Sequence, residues 1–225
     1  MPTIAARRIS LLVRTGKMIF ATTRTVDQYQ RLGSLTYGCR FAVCAGGGVL
    51  LEDMHPRPDW TAECLHRLRS SGWSHKELEQ TLKMMLRDGK SEEVHGAIGL
   101  AACRMPCRPA TSRHSQFLHA ASHLGLCGSW TGTKAYLQVK GTGKADAVHW
   151  ALHGGARLVA AAGDAELDRR LLETADSSYT PQGGELAKSP SPRITVVRGL
   201  SPSVVIADIS LQLLKAMGLN EPVRN

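Results

Sequence analysis

No apolar run in the sequence approaches the roughly 18 residues that would cross a bilayer as a helix. Ile9 to Val13 is too short for a secretory core, and no small-residue cleavage site follows it. No membrane partner is therefore expected, and a cytoplasmic location is the expectation. Aromatic residues are scarce, at 5%, which argues against a surface that stacks nucleobases between basic side chains. The six cysteines (39, 44, 64, 103, 107 and 127) form no paired framework, so a disulfide scaffold is excluded and reduced thiols are expected. Cys103, Cys107, His114, His119, His123 and Cys127 do not fit a zinc-finger or ribbon spacing. His119 and His123 instead read as one face of a short helix. Acids are nearly absent from the amino-terminal end: residues 1–40 hold Asp27 alone against seven Lys/Arg. Residues 41–140 hold nine against twelve and residues 141–225 nine against nine, so the net charge of +9 is concentrated at the start. A basic segment is a possible nucleic-acid footprint, kept as a rival reading although no nucleic-acid fold motif accompanies it.

What is present is a core-forming composition, 43% hydrophobic over 225 residues, enough for one domain or two small ones. The most informative stretch is Arg157 to Asp176. Leu158 to Ala162 suits a strand buried on both faces, although periodicity alone does not separate it from a buried helical turn. Gly163 stops the run, Asp164 and Asp168 follow, and Leu171, Leu172 and Ala175 repeat at helical spacing. Paired carboxylates at the carboxyl end of a parallel strand stand where open α/β sheets place their chemistry. They need a cation or a proton to relieve their repulsion. The plain alternative is a helix N-cap followed by a solvated first-turn acid.

The same rhythm appears twice more. Met18 to Ala21 reads as a strand, Thr22-Thr23-Arg24-Thr25 as a hydroxyl-rich turn, and Val26 to Leu32 as a helix capped by Thr25. Thr22 and Thr23 either hold a phosphate with the helix amides or simply cap the helix. Arg40 to Cys44 is a further strand, and Gly46-Gly47-Gly48 a tight turn into Val49–Leu51. Residues 53–133 lose this rhythm and read as an inserted α+β unit, with helices over Thr61–Arg69 and His75–Arg87. Core-like sequence returns with the strand Ala135–Val139. Gly141-Thr142-Gly143 then sets Lys144 at a helix start, either as a surface charge or beside the Asp164 tip. Ile194–Val197 is a last strand and Ser203–Met217 a closing helix. The expected fold is a doubly wound, largely parallel α/β sheet, with residues 1–52 and 134–225 as core and 53–133 as cap.

A hydroxyl, an ammonium and paired carboxylates suit Mg²⁺-dependent phosphoryl transfer. FATTRT, GTGKADAV and GDAELD, in that order around a cap-sized insertion, resemble the second, third and fourth motifs of the haloacid dehalogenase (HAD) superfamily. The likeness is greatest to its sucrose-phosphate and mannosyl-phosphoglycerate phosphatase branch. The resemblance implies a Rossmann-like core, a Mg²⁺ cofactor and a small phosphorylated substrate such as a sugar phosphate. It implies Thr22, with Thr23, as the phosphate-binding hydroxyls and Lys144 as the phosphate- and nucleophile-contacting lysine. Asp164 and Asp168 become the metal acids, Asp164 foremost.

The same resemblance exposes two departures. The family's first motif, an Asp-x-Asp ending a central strand, has no counterpart in residues 1–21. Its absence implies an enzyme by family that lacks its nucleophile here, through truncation at the start, or a non-catalytic relative that binds a phosphorylated ligand or a protein. The strands before Thr22 and Asp164 must then pair with each other or leave two inner edges open. Gly46 also stands where relatives often carry Asn.

Overall fold

The computed structural model describes residues 4–33, 36–92, 94, 97–152 and 155–219. The chain opens with α1 (Ile4–Arg14), β1 (Ile19–Ala21), α2 (Val26–Gln30), β2 (Phe41–Cys44), β3 (Val49–Glu52) and β4 (His55–Pro56). Helices α3 (Pro58–Ser70) and α4 (His75–Met85) follow. Next come β5 (Lys90–Glu92), β6 (Leu100–Arg104), α5 (Thr111–His123), β7 (Leu126–Thr131) and β8 (Lys134–Val139). The last part is α6 (Lys144–Ala151), β9 (Ala160–Ala162), α7 (Arg169–Thr174), β10 (Ser177–Pro181), β11 (Ile194–Val197) and α8 (Pro202–Ala216).

Local signals set most of these boundaries. Thr25 and Gln28 form a reciprocal capping box at α2, as Ser74 and Glu77 do at α4. Pro58 and Pro202 stand in the first turns of α3 and α8, where a missing N–H costs nothing.

The strands form three sheets, ordered β1-β2-β3-β4, β11-β10-β9 and β5-β6-β8-β7. In the first, β1 and β2 are parallel and the rest antiparallel. The second is wholly parallel, and the third wholly antiparallel. The α/β core expected from sequence is therefore present, but it is split. β1 ends one sheet and β9 ends another, and the two edges do not pair. Of the two outcomes expected for those strands, the open-edged one holds.

Two other boundaries move. β8 lies between β6 and β7, so the antiparallel sheet runs on past residue 133 to Val139. Helix α3 turns Trp60 and Cys64 into the same apolar cluster as Val43, Leu50, Val148 and Leu172, and its last turns put Leu68 against the antiparallel sheet, so it packs on both. The antiparallel sheet builds a separate cluster with Leu78, Leu82, Phe117, Trp130 and Leu137. The two units meet at Gly46 and Gly47. A Cβ on Gly46 would lie 2.6 Å from Leu100 Cδ2, and one on Gly47 would lie 2.4 Å from Thr142 O. Close packing against β6 explains glycine at 46.

Candidate functional site

One groove, of about 860 Å³, runs between the facing edges of β1 and β9. Its polar mouth holds Thr22, Thr23, Lys144, Asp164 and Asp168, so all five residues singled out from sequence line a single feature. Each arrives at the end of a strand or the start of a helix, which is where backbone geometry changes and side chains can converge.

Thr22 keeps its backbone in the sheet, its N–H donating to Val43 O (2.8 Å) and its carbonyl accepting from Gly46 N (3.0 Å). Its hydroxyl oxygen accepts from Arg24 N–H at 3.2 Å, which leaves the hydroxyl proton to donate outward. Lys144, first residue of α6, is buried and donates to Asp168 Oδ1 at 2.7 Å. Asp168 Oδ2 accepts from the backbone N–H groups of Asp164 and Ala165, both at 3.3 Å. Glycine at 163 permits this fold-back, since a Cβ there would come within 2.6 Å of the Asp168 side chain.

The two aspartates consequently differ. Both Asp168 oxygens are engaged, so it orients Lys144 and pins the loop. Among the described residues no lysine or arginine pairs with Asp164. Partial loss of hydration, then the Asp168 charge, pushes the Asp164 carboxyl above its usual range, with Lys144 opposing. Asp164 is nonetheless an exposed residue, so solvent screens much of that effect. Sequence reasoning paired the two acids as metal ligands; the structure leaves Asp164 with free oxygens and ties down Asp168. Among the described residues there is no cluster of three or more His, Cys, Asp or Glu able to hold a metal. One free carboxylate still fits Mg²⁺, which keeps most of its waters and commonly takes one or two carboxylates plus substrate phosphate.

A raised carboxyl pKa means that Asp164 costs stability once it ionises, so the penalty grows as pH rises through the unfolded and then the folded value. Asp164→Asn should therefore raise the melting temperature slightly, by about 1–2 °C at neutral pH. The same variant should lose any Mg²⁺-induced shift. Scanning calorimetry with and without Mg²⁺ reads both.

Two features escaped the sequence. A second cavity of about 640 Å³ adjoins the mouth, lined by Thr22, Thr23, Arg24, Gln28, Arg31 and Lys134 among others. Glu92 also lines it and pairs with Lys134, while among the described residues neither Arg24 nor Arg31 pairs with a carboxylate, so the lining carries a net positive charge. The other feature is Glu185, a buried carboxylate joining the antiparallel sheet to the Asp164 loop. It accepts from Ser129 Oγ (3.1 Å), Trp130 N (3.3 Å), Thr131 Oγ1 (2.7 Å) and Glu166 N (2.9 Å). His114 Nε2 lies 2.8 Å away. His119 and His123 do share a helix face, with their Nε2 atoms 2.8 Å apart.

No family model matches the sequence, and no curated protein matches it. Solved structures do match in fold. The sucrose-phosphatase from Synechocystis sp. PCC6803, in complex with sucrose and phosphate, superposes with a TM-score of 0.72 at 13% identity. The match covers 96% of this chain and 92% of that one. A HAD subclass IIB sugar phosphatase gives 0.54 at 12% identity, over 95% and 91%. A haloacid dehalogenase-like hydrolase from B. subtilis gives 0.51 at 13%, over 87% of each. Identities this low speak for architecture alone: the chain has the fold of the haloacid dehalogenase superfamily.

Proposed function

We propose that this chain is the framework of a HAD-type, Mg²⁺-dependent phosphohydrolase acting on a small phosphorylated metabolite such as a sugar phosphate. The observation that carries the reading is the convergence of Thr22, Lys144, Asp164 and Asp168 at one groove mouth beside a cationic cavity. The sugar phosphatases among the structures of like fold support it. Thr22 would donate its free hydroxyl proton to a phosphoryl oxygen. Lys144, with two N–H donors beyond the one given to Asp168, would hold another. Asp164 would hold the Mg²⁺, which when bound offsets phosphate charge. Arg24 and Arg31 would face the rest of an anionic substrate across the second cavity.

Phosphoryl transfer to an aspartate needs a carboxylate free to attack. Asp168 is engaged and Asp164 is assigned to the cation, so neither carboxylate of the mouth is left for the nucleophile's role. Residues 1–225 alone should turn over an aryl phosphate negligibly. Extending the chain with in-frame coding sequence ahead of Met1 that supplies an Asp-x-Asp strand should restore hydrolysis. Activity of the unextended chain that disappears in Asp164→Ala would overturn this and make Asp164 the nucleophile.

A second reading is a non-catalytic binder of phosphorylated ligands, favoured by the engagement of both Asp168 oxygens, which leaves Asp164 as the one unpaired carboxylate of the mouth among the described residues. It predicts calorimetrically measurable sugar-phosphate binding with no hydrolysis in any extended form.

A further inference from the structure

We propose that His119 and His123 form a two-imidazole site for a divalent transition-metal ion, nickel(II) or copper(II), on the outer face of α5. The site stands apart from the groove mouth and from the Mg²⁺ reading, and either can fail alone. Phe117 and Ala121 are the residues that α5 buries against the antiparallel sheet. His119 and His123 each come two residues later, about 200° further round a helix, and both are exposed. Residues four apart stand one above the other on a helical face, so the two rings meet. Their planes cross at 87° with centroids 4.2 Å apart.

The Nε2 atoms of the two rings lie 2.8 Å apart. Neutral imidazoles at that distance share one proton: one ring donates Nε2–H and the other accepts on a bare lone pair. A cation takes the shared position when the donating ring carries its proton on Nδ1 instead, a tautomer change that leaves both rings neutral and releases no proton. Two waters leave the ion as the two metal–nitrogen bonds form. Neither ring is held for another task. The ion pairs of α5 run from Arg113 to Asp88 and from His114 to Glu185, and among the described residues no carboxylate pairs with His119 or His123. No third His, Cys, Asp or Glu among the described residues completes a cluster there, so the remaining coordination positions belong to water.

The spacing selects the ion. With metal–nitrogen bonds of about 2.0–2.1 Å, a separation of 2.8 Å subtends roughly 85° at the metal. That is close to the right angle between neighbouring positions of an octahedron or a square plane, the geometries of nickel(II) and copper(II). A tetrahedral zinc ion would need the nitrogens about 3.3–3.4 Å apart. Mg²⁺ and Ca²⁺ take oxygen donors and have none here to prefer over water. The helix adds its own field. His123 is the last residue of α5, where unpaired carbonyls form the negative end of the helix dipole and favour a cation.

The test titrates nickel(II) into the full chain by calorimetry, with the exposed thiols removed as Cys107→Ser/Cys127→Ser. One ion should bind per chain. His119→Ala and His123→Ala should each weaken binding by roughly tenfold or more, whereas His66→Ala, at an exposed histidine of α3, should leave it unchanged. Alanine is the better helix former, so both variants keep α5. Because the ion bridges one turn of folded helix, nickel(II) should raise the melting temperature of the parent and of neither variant. Copper(II) should bind more tightly still and show two imidazole nitrogens by electron paramagnetic resonance, and zinc(II) should bind more weakly than nickel(II). Absence of saturable binding, unchanged affinity in either variant, a single nitrogen at copper, or one ion shared between two chains would overturn the proposal. So would zinc(II) binding more tightly than nickel(II), which would mean that the rings open to a tetrahedral spacing.

Discussion

Replacing Lys144 with Met should lower stability by about 3 kcal/mol, and replacing Asp168 with Asn by about 4–5 kcal/mol. The two side chains are 7% and 9% exposed and 2.7 Å apart. Removing either leaves the other charge in a site water barely reaches, where an unpaired ion is far costlier than an unmade neutral contact. The asymmetry follows from the remaining partners. Without Lys144, the Asp168 carboxylate still accepts from the amides of Asp164 and Ala165. Without the Asp168 charge, the ammonium loses the carboxylate it pairs with and the Gly163–Ala165 loop loses the anion that fixes its amides. The double variant Lys144→Met/Asp168→Asn should cost clearly less than the sum, with a coupling energy above about 1 kcal/mol. Urea unfolding of the four proteins measures the cycle. Strict additivity would mean that the pair contributes through packing alone, and the assignment of Asp168 as the orienter of Lys144 would fall. Phosphate binding should disappear in both single variants.

That pair also marks how far the sequence could be read. Thr25 announces α2, Gly163 ends β9 and Gly143 precedes Lys144, because turn and cap chemistry acts over a few residues. The convergence of Thr22, Lys144 and Asp164 could be expected because each closes a strand or opens a helix in a repeating unit. Asp168 was harder. Spacing says only that it lies one turn beyond Asp164; that its oxygens go to Lys144, 24 residues away in sequence, is decided by packing. The same limit hid the antiparallel unit. The sequence marks Ala135–Val139 as a strand but carries no information about its neighbours, and pairing with β6 and β7 rather than the core depends on long-range partners. Trp60 lies within residues 53–133, which read from sequence as the inserted unit. Its indole N–H instead donates to Gly47 O at 2.7 Å, which fixes α3 on the core.

Glu185 is the residue whose loss should most loosen the two units from one another. Its side chain is 6% exposed, and its partners come from α5, β7 and the loop bearing Asp164. Burial alone would raise its pKa, but donation from Glu166 N–H, Thr131, His114 and Trp130 N–H outweighs that and holds the carboxyl below its usual range. A depressed folded pKa stabilises above the unfolded value, about 4.3 for a glutamate, and that contribution is lost as pH falls through the folded value. Glu185→Ala should thus cost about 3–5 kcal/mol at neutral pH, because several buried donors lose their acceptor together. For a chain of this size that is a fall of roughly 10 °C or more in melting temperature. The deficit relative to the parent should shrink below about pH 4, where the parent's own carboxylate begins to protonate. Glu185→Gln, which keeps the shape but not the charge, should lie between the two. Hydrogen exchange should localise the damage to residues 129–131 and 164–166, since those segments share the carboxylate while the rest of each apolar cluster is untouched. A uniform rise in exchange across β10 and β11, with residues 129–131 unchanged, would show that Glu185 supports the core sheet and does not latch the antiparallel unit to the Asp164 loop.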